Sequence, residues 1–545
     1  MTLRSPISDV TTTTHRSRDD HPKHYYYYFY FIIEVIIVVL LHCSWQYLYH
    51  ITIKKSGDLS RRKPKTNQNL KKTKVKMPVT ISISDTFDGG NVKFIERRPN
   101  ADDPNVIDVV LHVKQDVYTE LEQIHHMQYF AFRVTVGGLL EDDDDDDDGQ
   151  SQSHQTINYV LANASETSYP EAWNNATVFY TTDVEDVDSW KRNLTTHYGH
   201  SELTWQHEHE HNGSLYFSYF PPYSYARHLT LISQCTPYAQ VGTLGQSLEG
   251  REMEYITCGT GDKIAWIIHR QHPGETMAEH YAEGLLERLL GFRNNGKIKE
   301  GDQVVEKALQ KYTFYIVPCM CPDGAVKGHL RTNAAGANLN REWATVKEGY
   351  TAPSLERSPE VYHVLQKMDE TGVDVCVDVH GDEELPFNFL SGATLIPKWG
   401  PRIKSLHGAF VAAYCRANSS MQAPIGYPPP ESAEYVLKYM NVATNQIANR
   451  FDCLAVTLEM PFKDCVTNPD PERGWNPERS RKLGASLLEP LLYVHPILRD
   501  ETEFWHNLPK EDAYVATTDD YEVHVPGEDE FQFKMLKKRF YSDVH

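Results

Sequence analysis

The stretch Ile264-Ala-Trp-Ile-Ile-His269-Arg-Gln-His272-Pro-Gly-Glu275 joins an apolar run to a Pro-Gly turn, after which residues 275–290 show a helical pattern. A short apolar run bounded by a turn signal is typical of a buried strand. Similar apolar runs lie at 314–317, 373–379 and 453–458, and further helical patterns lie at 402–416, 431–448 and 480–493. Because buried strands alternate with helices, residues 236–495 are predicted to form an α/β domain.

Residues 79–235 have a different pattern, in which apolar and polar positions alternate. Phe130, Phe132 and Val134 would face one side of a strand, whereas Arg133 would face the other. This period of two predicts an antiparallel β domain ahead of the α/β domain. Within it, residues 141–148 form an uninterrupted acidic run, which we interpret as a solvated loop because like charges repel each other.

The two ends of the chain differ in composition from the body. Residues 1–76 contain 14 Lys and Arg against 5 Asp and Glu, so they form a basic leader. An apolar segment within 25–49 could anchor the chain in a membrane, but it is short, and inserting its Glu34 would cost about 2–3 kcal/mol. The basic residues after it would then keep the body on the cytosolic side. Alternatively, the leader is dispensable and the functional chain begins at Met77. Residues 496–545 are predicted to be a tail.

Composition and charge limit the class of protein. The 545 residues are 40% hydrophobic, enough for a packed core, which excludes wholesale disorder. The formal net charge is −21, and it reaches −30 over residues 77–545, so general nucleic-acid binding is not expected. The nine cysteines are odd in number and lack the spacing of a zinc knuckle, which favours a reduced, cytoplasmic compartment.

Two segments have a spacing that could bind zinc. His207-Glu-His-Glu-His211 has the pattern of helical zinc proteases, but Asn212-Gly213 follows at once as a turn signal and leaves no room for the helix. We therefore interpret it as a histidine-rich hairpin. The second candidate is His272 with Glu275, at the junction of a strand and a helix, together with His380 at the end of the apolar run at 373–379. Two histidines and a carboxylate leave a fourth zinc position for water.

Four motifs in one order resemble the cytosolic branch of the zinc metallocarboxypeptidase family. They are His272-Pro-Gly-Glu275, Arg331-Thr-Asn-Ala-Ala-Gly-Ala-Asn-Leu-Asn340-Arg341-Glu-Trp343, Asp378-Val-His380-Gly-Asp-Glu383 and Thr457-Leu-Glu459-Met-Pro-Phe462. The β domain ends in Tyr216-Phe-Ser-Tyr-Phe-Pro-Pro-Tyr223, like the amino-terminal domain of that branch. The resemblance implies an antiparallel β-sandwich at 79–235, followed at 236–495 by a carboxypeptidase-like α/β catalytic domain with a mixed central sheet.

The resemblance also implies roles for individual residues. His272, Glu275 and His380 would bind one Zn²⁺, and Glu459 would be the general base. Arg331 would stabilise the oxyanion, and Asn340 and Arg341 would bind the terminal carboxylate of the substrate. Asp378 is a candidate to orient a metal ligand, because it lies two residues before His380 on its strand. Tyr427 and Tyr435 are candidates for the mobile active-site tyrosine of the family.

The expected function is a zinc-dependent carboxypeptidase. In the resembled branch the typical substrates are acidic protein tails, including polyglutamylated tails such as those of tubulin. Specificity for glutamate would need a basic pocket, for which Arg450 and Lys463 are candidates. The alternative is a zinc amidohydrolase, or deacylase, that acts on small N-acyl amino acids. It is disfavoured because Arg331, Asn340 and Arg341 suit a peptide end.

Overall fold

The computed structural model describes residues 78–117, 125–139, 154–294 and 302–503. The leader with its segment 25–49, the acidic run at 141–148 and residues 504–545 of the predicted tail lie outside these ranges. The chain divides into the units Met1–Val75 and Lys76–His545, and the description below concerns the second. Within the described ranges, no helix combines the length and the apolar character needed to cross a membrane.

The amino-terminal part of the described chain forms two five-stranded sheets. The first has the order β1-β4-β10-β6-β7 and the second has the order β2-β3-β5-β9-β8. The strands are β1 Thr80–Ser84, β2 Lys93–Pro99, β3 Ile107–His112, β4 Ala131–Gly137, β5 Gln155–Leu161, β6 Val178–Thr181, β7 Lys191–Asn193, β8 His197–Gly199, β9 Glu202–His209 and β10 Gly213–Ser218. The predicted alternation is found, because Phe130, Phe132 and Val134 are buried and Arg133 is exposed.

One strand pair departs from the predicted antiparallel domain. Strands β3 and β5 are parallel, whereas the other described pairs of these two sheets are antiparallel. Between β3 and β5 the chain passes through β4, which belongs to the other sheet. It therefore returns to the second sheet in its original direction, and a parallel pair results.

Aromatic side chains join the two sheets. Phe132 and Phe217 of the first sheet contact Tyr159 of the second, with ring centroids 5.9 and 4.8 Å apart. Trp205 on β9 contacts the same two phenylalanines at 6.2 and 5.9 Å. Offset rings at these separations attract each other and bury large apolar areas, so these residues form the core between the sheets.

The carboxyl-terminal part contains a seven-stranded mixed sheet flanked by helices, as predicted. Its order is β11-β12-β14-β13-β15-β17-β16, with the four strands β14, β13, β15 and β17 parallel and the others antiparallel. The strands are β11 Gln240–Gln246, β12 Glu252–Cys258, β13 Lys263–His269, β14 Tyr312–Val317, β15 Val375–Asp382, β16 Phe389–Gly392 and β17 Leu454–Pro461. The helices are α1 Tyr225–Cys235, α2 Met277–Leu290, α3 Gln303–Lys311, α4 Pro322–Lys327, α5 Pro359–Thr371, α6 Pro401–Ala417, α7 Ala433–Leu437, α8 Ala443–Phe451, α9 Pro477–Ala485 and α10 Leu488–Val494.

Two predicted helices are each divided in the structure. The pattern at 431–448 corresponds to α7 and α8, and the pattern at 480–493 corresponds to α9 and α10. At the first break, the carbonyl oxygen of Asn441 accepts a hydrogen bond from the backbone of Trp343 at 3.1 Å. The Ala443 amide donates to Asn340 Oδ1 at 2.9 Å. Both contacts use backbone groups at the break, so tertiary hydrogen bonds there replace the continuous helix that periodicity predicts.

Helix α2, which follows the Pro-Gly turn, is packed tightly against α9. A Cβ atom at Gly284 would lie 2.0 Å from the carbonyl oxygen of Arg481, and one at Gly484 would lie 2.1 Å from that of Tyr281. Only glycine permits this approach at both positions. The contact therefore holds the middle of α2 directly against α9.

Candidate metal centre and active site

The three predicted zinc ligands lie together in the structure. His272 and Glu275 lie in the turn after β13, and His380 lies near the carboxyl end of β15. Glu275 Oε1 is 2.6 Å from His272 Nδ1, and Glu275 Oε2 is 2.8 Å from His380 Nδ1. The two Nδ1 atoms are 3.2 Å apart, and all three side chains are buried. Among the described residues, these three form a group of metal-ligating side chains whose ligand atoms all lie within 4.8 Å of one another.

Both histidines present Nδ1 to the centre because their other nitrogen atoms are bound elsewhere. His272 Nε2 lies 3.1 Å from Asn338 Oδ1, and His380 Nε2 lies 3.0 Å from Asp378 Oδ2. An oxygen acceptor at Nε2 keeps the proton there and leaves the Nδ1 lone pair for a metal. The donor set of two neutral imidazoles and one carboxylate therefore fits a zinc ion with an open position. Asp378 itself is held by Gln271 Nε2 at 2.7 Å.

The turn that carries His272 and Glu275 is anchored by Arg270. Arg270 is buried and has a left-handed backbone, with φ of 56°. Its Nε atom donates to the Pro273 carbonyl at 2.9 Å, and its Nη1 atom donates to Glu279 Oε2 on α2 at 2.6 Å. Glu279 also accepts from His228 on α1, 2.7 Å away. Burial opposes protonation of His228, but Glu254 and Glu279 raise its pKa to about 9. The resulting charged network attaches the turn after β13 to both α1 and α2.

Glu459 lies next to the candidate metal ligands. In the parallel pair of β15 and β17 it is the register partner of His380. Its Oε1 atom lies 3.0 Å from the Tyr427 hydroxyl, which also lies 2.9 Å from Asp382 Oδ2. Burial and the neighbouring carboxylates raise the pKa of Glu459, although His380 opposes this. Of the two tyrosine candidates, the structure places Tyr427 at the site, while Tyr435 packs against Tyr439 with ring centroids 4.9 Å apart.

Arg331, Asn340 and Arg341 lie on one loop beside this centre. The loop is closed by a β-bridge between Thr332 and Asn338. Asn340 is buried, and its Nδ2 atom lies 3.5 Å from His380 Nε2. Arg341 Nη1 donates to the Asn340 carbonyl at 2.8 Å. Burial, followed by the charge of Arg331, lowers the pKa of His272 to about 3, so the Arg331 guanidinium lies near the metal ligands.

The two candidates for a basic pocket differ in position. Arg450 on α8 forms a two-point ion pair with Asp369, at 2.7 and 2.6 Å. Its guanidinium is therefore already bound to a carboxylate of the protein. Lys463 follows β17 and is half-buried. Burial lowers its pKa to about 8, although the carboxylates of Glu384, Asp382 and Glu171 oppose this. Lys463 therefore carries its positive charge at neutral pH close to the acidic residues that follow His380.

The histidine-rich segment at 207–211 is a strand and a turn, as predicted, and not a helix. His207 and His209 belong to β9, with their rings 5.0 Å apart. His209 is buried and its Nε2 atom lies 2.9 Å from the Tyr159 hydroxyl. This contact makes His209 a core residue of the amino-terminal sheets.

Sequence reasoning missed three residues that the structure adds to the site. Asn338 holds His272, and it could have been found because it lies inside the motif at 331–343. Arg270 lies two residues before His272 and had no signal beyond that proximity. Asp116, from the amino-terminal part, accepts backbone hydrogen bonds from residues 330–332 and had no local signal at all.

Comparisons with known proteins agree with this geometry. Residues 223–444 match the zinc carboxypeptidase family, and residues 148–220 match the cytosolic carboxypeptidase N-terminal domain. An uncharacterized protein of Zymomonas mobilis is 38% identical over 412 residues, which are 75% of this chain and 95% of the relative. A metallo-carboxypeptidase from Pseudomonas aeruginosa, solved in complex with (2-guanidinoethylmercapto)succinic acid, is 34% identical with a TM-score of 0.64, covering 77% of this chain and all of that one.

The curated relatives with a named activity are matched over a smaller part. Cytosolic carboxypeptidase 1 of Danio rerio is 28% identical over 218 residues, which are 35% of this chain and 17% of that protein. The chain thus spans a minor part of that relative's length. On the family match, the near-complete coverage of bacterial relatives and the His-Glu-His centre, the chain belongs to the zinc carboxypeptidase family of metal-dependent hydrolases and carries the cytosolic carboxypeptidase N-terminal domain.

Proposed function

We propose that this enzyme removes C-terminal residues from peptides or proteins by hydrolysis, using a single zinc ion held by His272, Glu275 and His380. The observation that carries the proposal is the convergence of these three side chains within one buried group, with Glu459 on the adjoining strand. A zinc ion in such a site polarises the scissile carbonyl and lowers the pKa of a coordinated water toward ~7.

Glu459 is proposed as the general base and then the general acid. Its Oε2 atom has no hydrogen-bond partner among the described residues, so it can accept a proton from the attacking water. The same carboxyl group then delivers that proton to the leaving amine. The Tyr427 hydroxyl, at 3.0 Å from Oε1, holds the carboxyl group in position.

Arg331, Asn340 and Arg341 are proposed to bind the two charged parts of the substrate. The Arg331 guanidinium lies near His272, where it can stabilise the oxyanion that forms at the scissile carbonyl. Arg341 follows Asn340 on the same loop, and a guanidinium can bind a terminal carboxylate at two points. This clamp accounts for action at chain ends only.

We further propose a preference for acidic C-terminal residues, including glutamate tails such as those of tubulin. Lys463 supports it, because it is a half-buried cation beside the site. The alternative, a preference for basic residues, would use Glu383, which is buried and whose Oε1 atom has no hydrogen-bond partner in the described ranges. Burial and the nearby carboxylates of Glu275 and Asp382 raise the pKa of Glu383, which disfavours a negative charge there. The guanidino compound bound to the Pseudomonas aeruginosa relative gives a reason to test basic ends as well.

Three further proposals concern the molecule around the site. The ring contacts between Phe132, Phe217 and Tyr159 support a β-sandwich for the amino-terminal domain at 79–235, ahead of a catalytic domain at 236–495. The match to cytosolic carboxypeptidases supports a cytoplasmic location. Tethering through 25–49 stays a hypothesis about residues outside the described ranges.

One assay on the full chain tests the function. Zinc content is measured, and the enzyme is then given matched peptides ending in Glu, Asp, Lys or Phe, the same peptides with amidated ends, and N-acetyl amino acids. Release of the last residue only from free carboxyl ends is expected. Release of acetate alone would favour the amidohydrolase instead, and release of Lys or Phe without Glu would contradict the acidic preference.

A further inference from the structure

A carboxylate from the amino-terminal domain binds the backbone of the loop that carries Arg331. Asp116 follows β3 and is 4% exposed. Its Oδ1 atom accepts from the Leu330 amide at 2.7 Å, and its Oδ2 atom accepts from the amides of Arg331 and Thr332 at 2.8 and 2.9 Å. The Thr332 hydroxyl donates to Oδ2 as well, at 3.2 Å. One buried side chain thus satisfies three successive backbone N–H groups.

This contact determines the path of the loop. Three consecutive N–H groups point to one anion only when the backbone curls around it. Leu330 and Thr332 are fully buried, so without Asp116 their amides would have no acceptor and would have to turn elsewhere. Since a charged acceptor forms stronger hydrogen bonds than a neutral one, the buried carboxylate and the curled backbone stabilise each other.

Residues 330–332, which Asp116 binds, contain Arg331 and contact the residue that binds His272. Arg331 is the middle residue of the three, and Thr332 forms the β-bridge with Asn338. Asn338 in turn lies 3.1 Å from His272 Nε2. The neighbouring backbone docks on the same domain, because the Gly328 carbonyl accepts from Asn91 Nδ2 at 2.9 Å. The amino-terminal domain therefore reaches the active site through this loop.

We propose that Asp116 is a positioning residue, which places the Arg331 guanidinium for transition-state stabilisation and so makes catalysis depend on the amino-terminal domain. This inference rests on the proposed role of Arg331. Asp116 itself contacts no substrate. It acts through backbone geometry, and displacing a catalytic group by about 1 Å can reduce the rate about a hundredfold.

The test is a double-mutant cycle on the full chain with Asp116→Asn and Arg331→Ala. In the Asn variant one of the two accepting oxygen atoms of Asp116 becomes an NH₂ group. That group cannot accept a hydrogen bond from the backbone amides, so at least one of them loses its acceptor. We expect kcat to fall about tenfold to a hundredfold with a smaller change in KM and with zinc retained. In the Arg331→Ala background the same change should have little further effect, because its target is already gone. Fully additive losses would overturn the inference.

The control variant is Asp188→Asn. Asp188 is also an amino-terminal carboxylate in contact with the other domain, through Arg481 at 2.7 and 3.0 Å, and this ion pair does not involve the backbone of residues 330–332. Its kinetics should match those of the wild type. If Asp116→Asn does not fold, Asp116→Glu replaces it in the same cycle, since that variant keeps the charge and shifts the carboxylate.

A second measurement does not depend on turnover. Amide hydrogen exchange at 330–332 should be faster in Asp116→Asn than in the wild type, and it should be unchanged in Asp188→Asn. Faster exchange in an enzyme that releases no C-terminal residue would support the positioning and reject the proposed function. Unchanged exchange in an active enzyme would reject the positioning and leave the function in place.

Discussion

At the residue scale, a substitution of Glu459 can distinguish the catalytic step from metal binding, because Glu459 is proposed as the base and not as a metal ligand. Glu459 is the register partner of His380, and Glu208 lies between two histidines in the strand-turn segment at 207–211. We expect Glu459→Gln to lower kcat about a hundredfold to ten-thousandfold, because general acid-base catalysis has this magnitude. Zinc content should stay at one ion per chain, as measured by elemental analysis. Glu208→Gln, the exposed control, should keep full activity, and an active Glu459→Gln enzyme would reject the assignment of the base.

Lys463 is a second residue whose role can be measured, because burial lowers its pKa to about 8. Its ammonium group is charged below that pH and loses its proton above it. If it binds the side chain of the released residue, KM for a peptide ending in Glu should rise as the pH passes 8, while KM for a peptide ending in Phe stays flat. At pH 7, Lys463→Gln should raise the first KM about tenfold, the effect of losing one charge-assisted hydrogen bond. Lys367→Gln on α5 is the control, and parallel pH profiles for both peptides would contradict the assignment.

At the scale of elements, the turn between β13 and α2 depends on Arg270 and its partners on α1 and α2. Arg270→Lys keeps a positive charge but cannot donate to Pro273 and Glu279 from one planar group. We expect zinc affinity to fall about tenfold to a hundredfold, the usual effect of losing a group that orients metal ligands. Chelator competition measures it. Arg227→Lys is the matched control, because it changes an ion pair with Glu283 between the same two helices.

The elements also show what the sequence could predict. The strands that carry the site were predictable, since apolar runs bounded by turn residues are local signals, and β13, β15 and β17 lie where those runs lie. The helix at 431–448 was not predictable as two pieces. Its break between α7 and α8 is used by Trp343 and Asn340, which are about a hundred residues away in the chain, and periodicity does not report such contacts.

At the scale of the whole molecule, sequence patterns also fail to predict the contacts between the two domains. The change of pattern near residue 235 predicts two domains, and the motifs predict the ligands, because the residues of each motif are near each other in sequence. Asp116 lies 214 residues before Leu330, and the parallel pair of β3 and β5 depends on a crossing between sheets. Contacts of this kind arise only from the folded chain. The contacts of the amino-terminal domain with the active-site loop could therefore be recognised only in the structure.

The charge of the whole molecule leads to the last prediction. Residues 77–545 carry a formal net charge of −30, so they should repel an acidic peptide at a distance, while Arg331, Arg341 and Lys463 attract it only nearby. Raising the ionic strength from ~0.01 M to ~0.1 M shortens the Debye length from ~30 Å to ~10 Å, which screens the distant repulsion more than the local attraction. We expect kcat/KM for a peptide ending in several glutamates to rise over this range. For a neutral peptide ending in Phe it should stay constant, which controls for effects of salt on the enzyme itself. A steep fall with salt for the acidic peptide would mean that an extended cationic surface, and not a local pocket, captures the substrate.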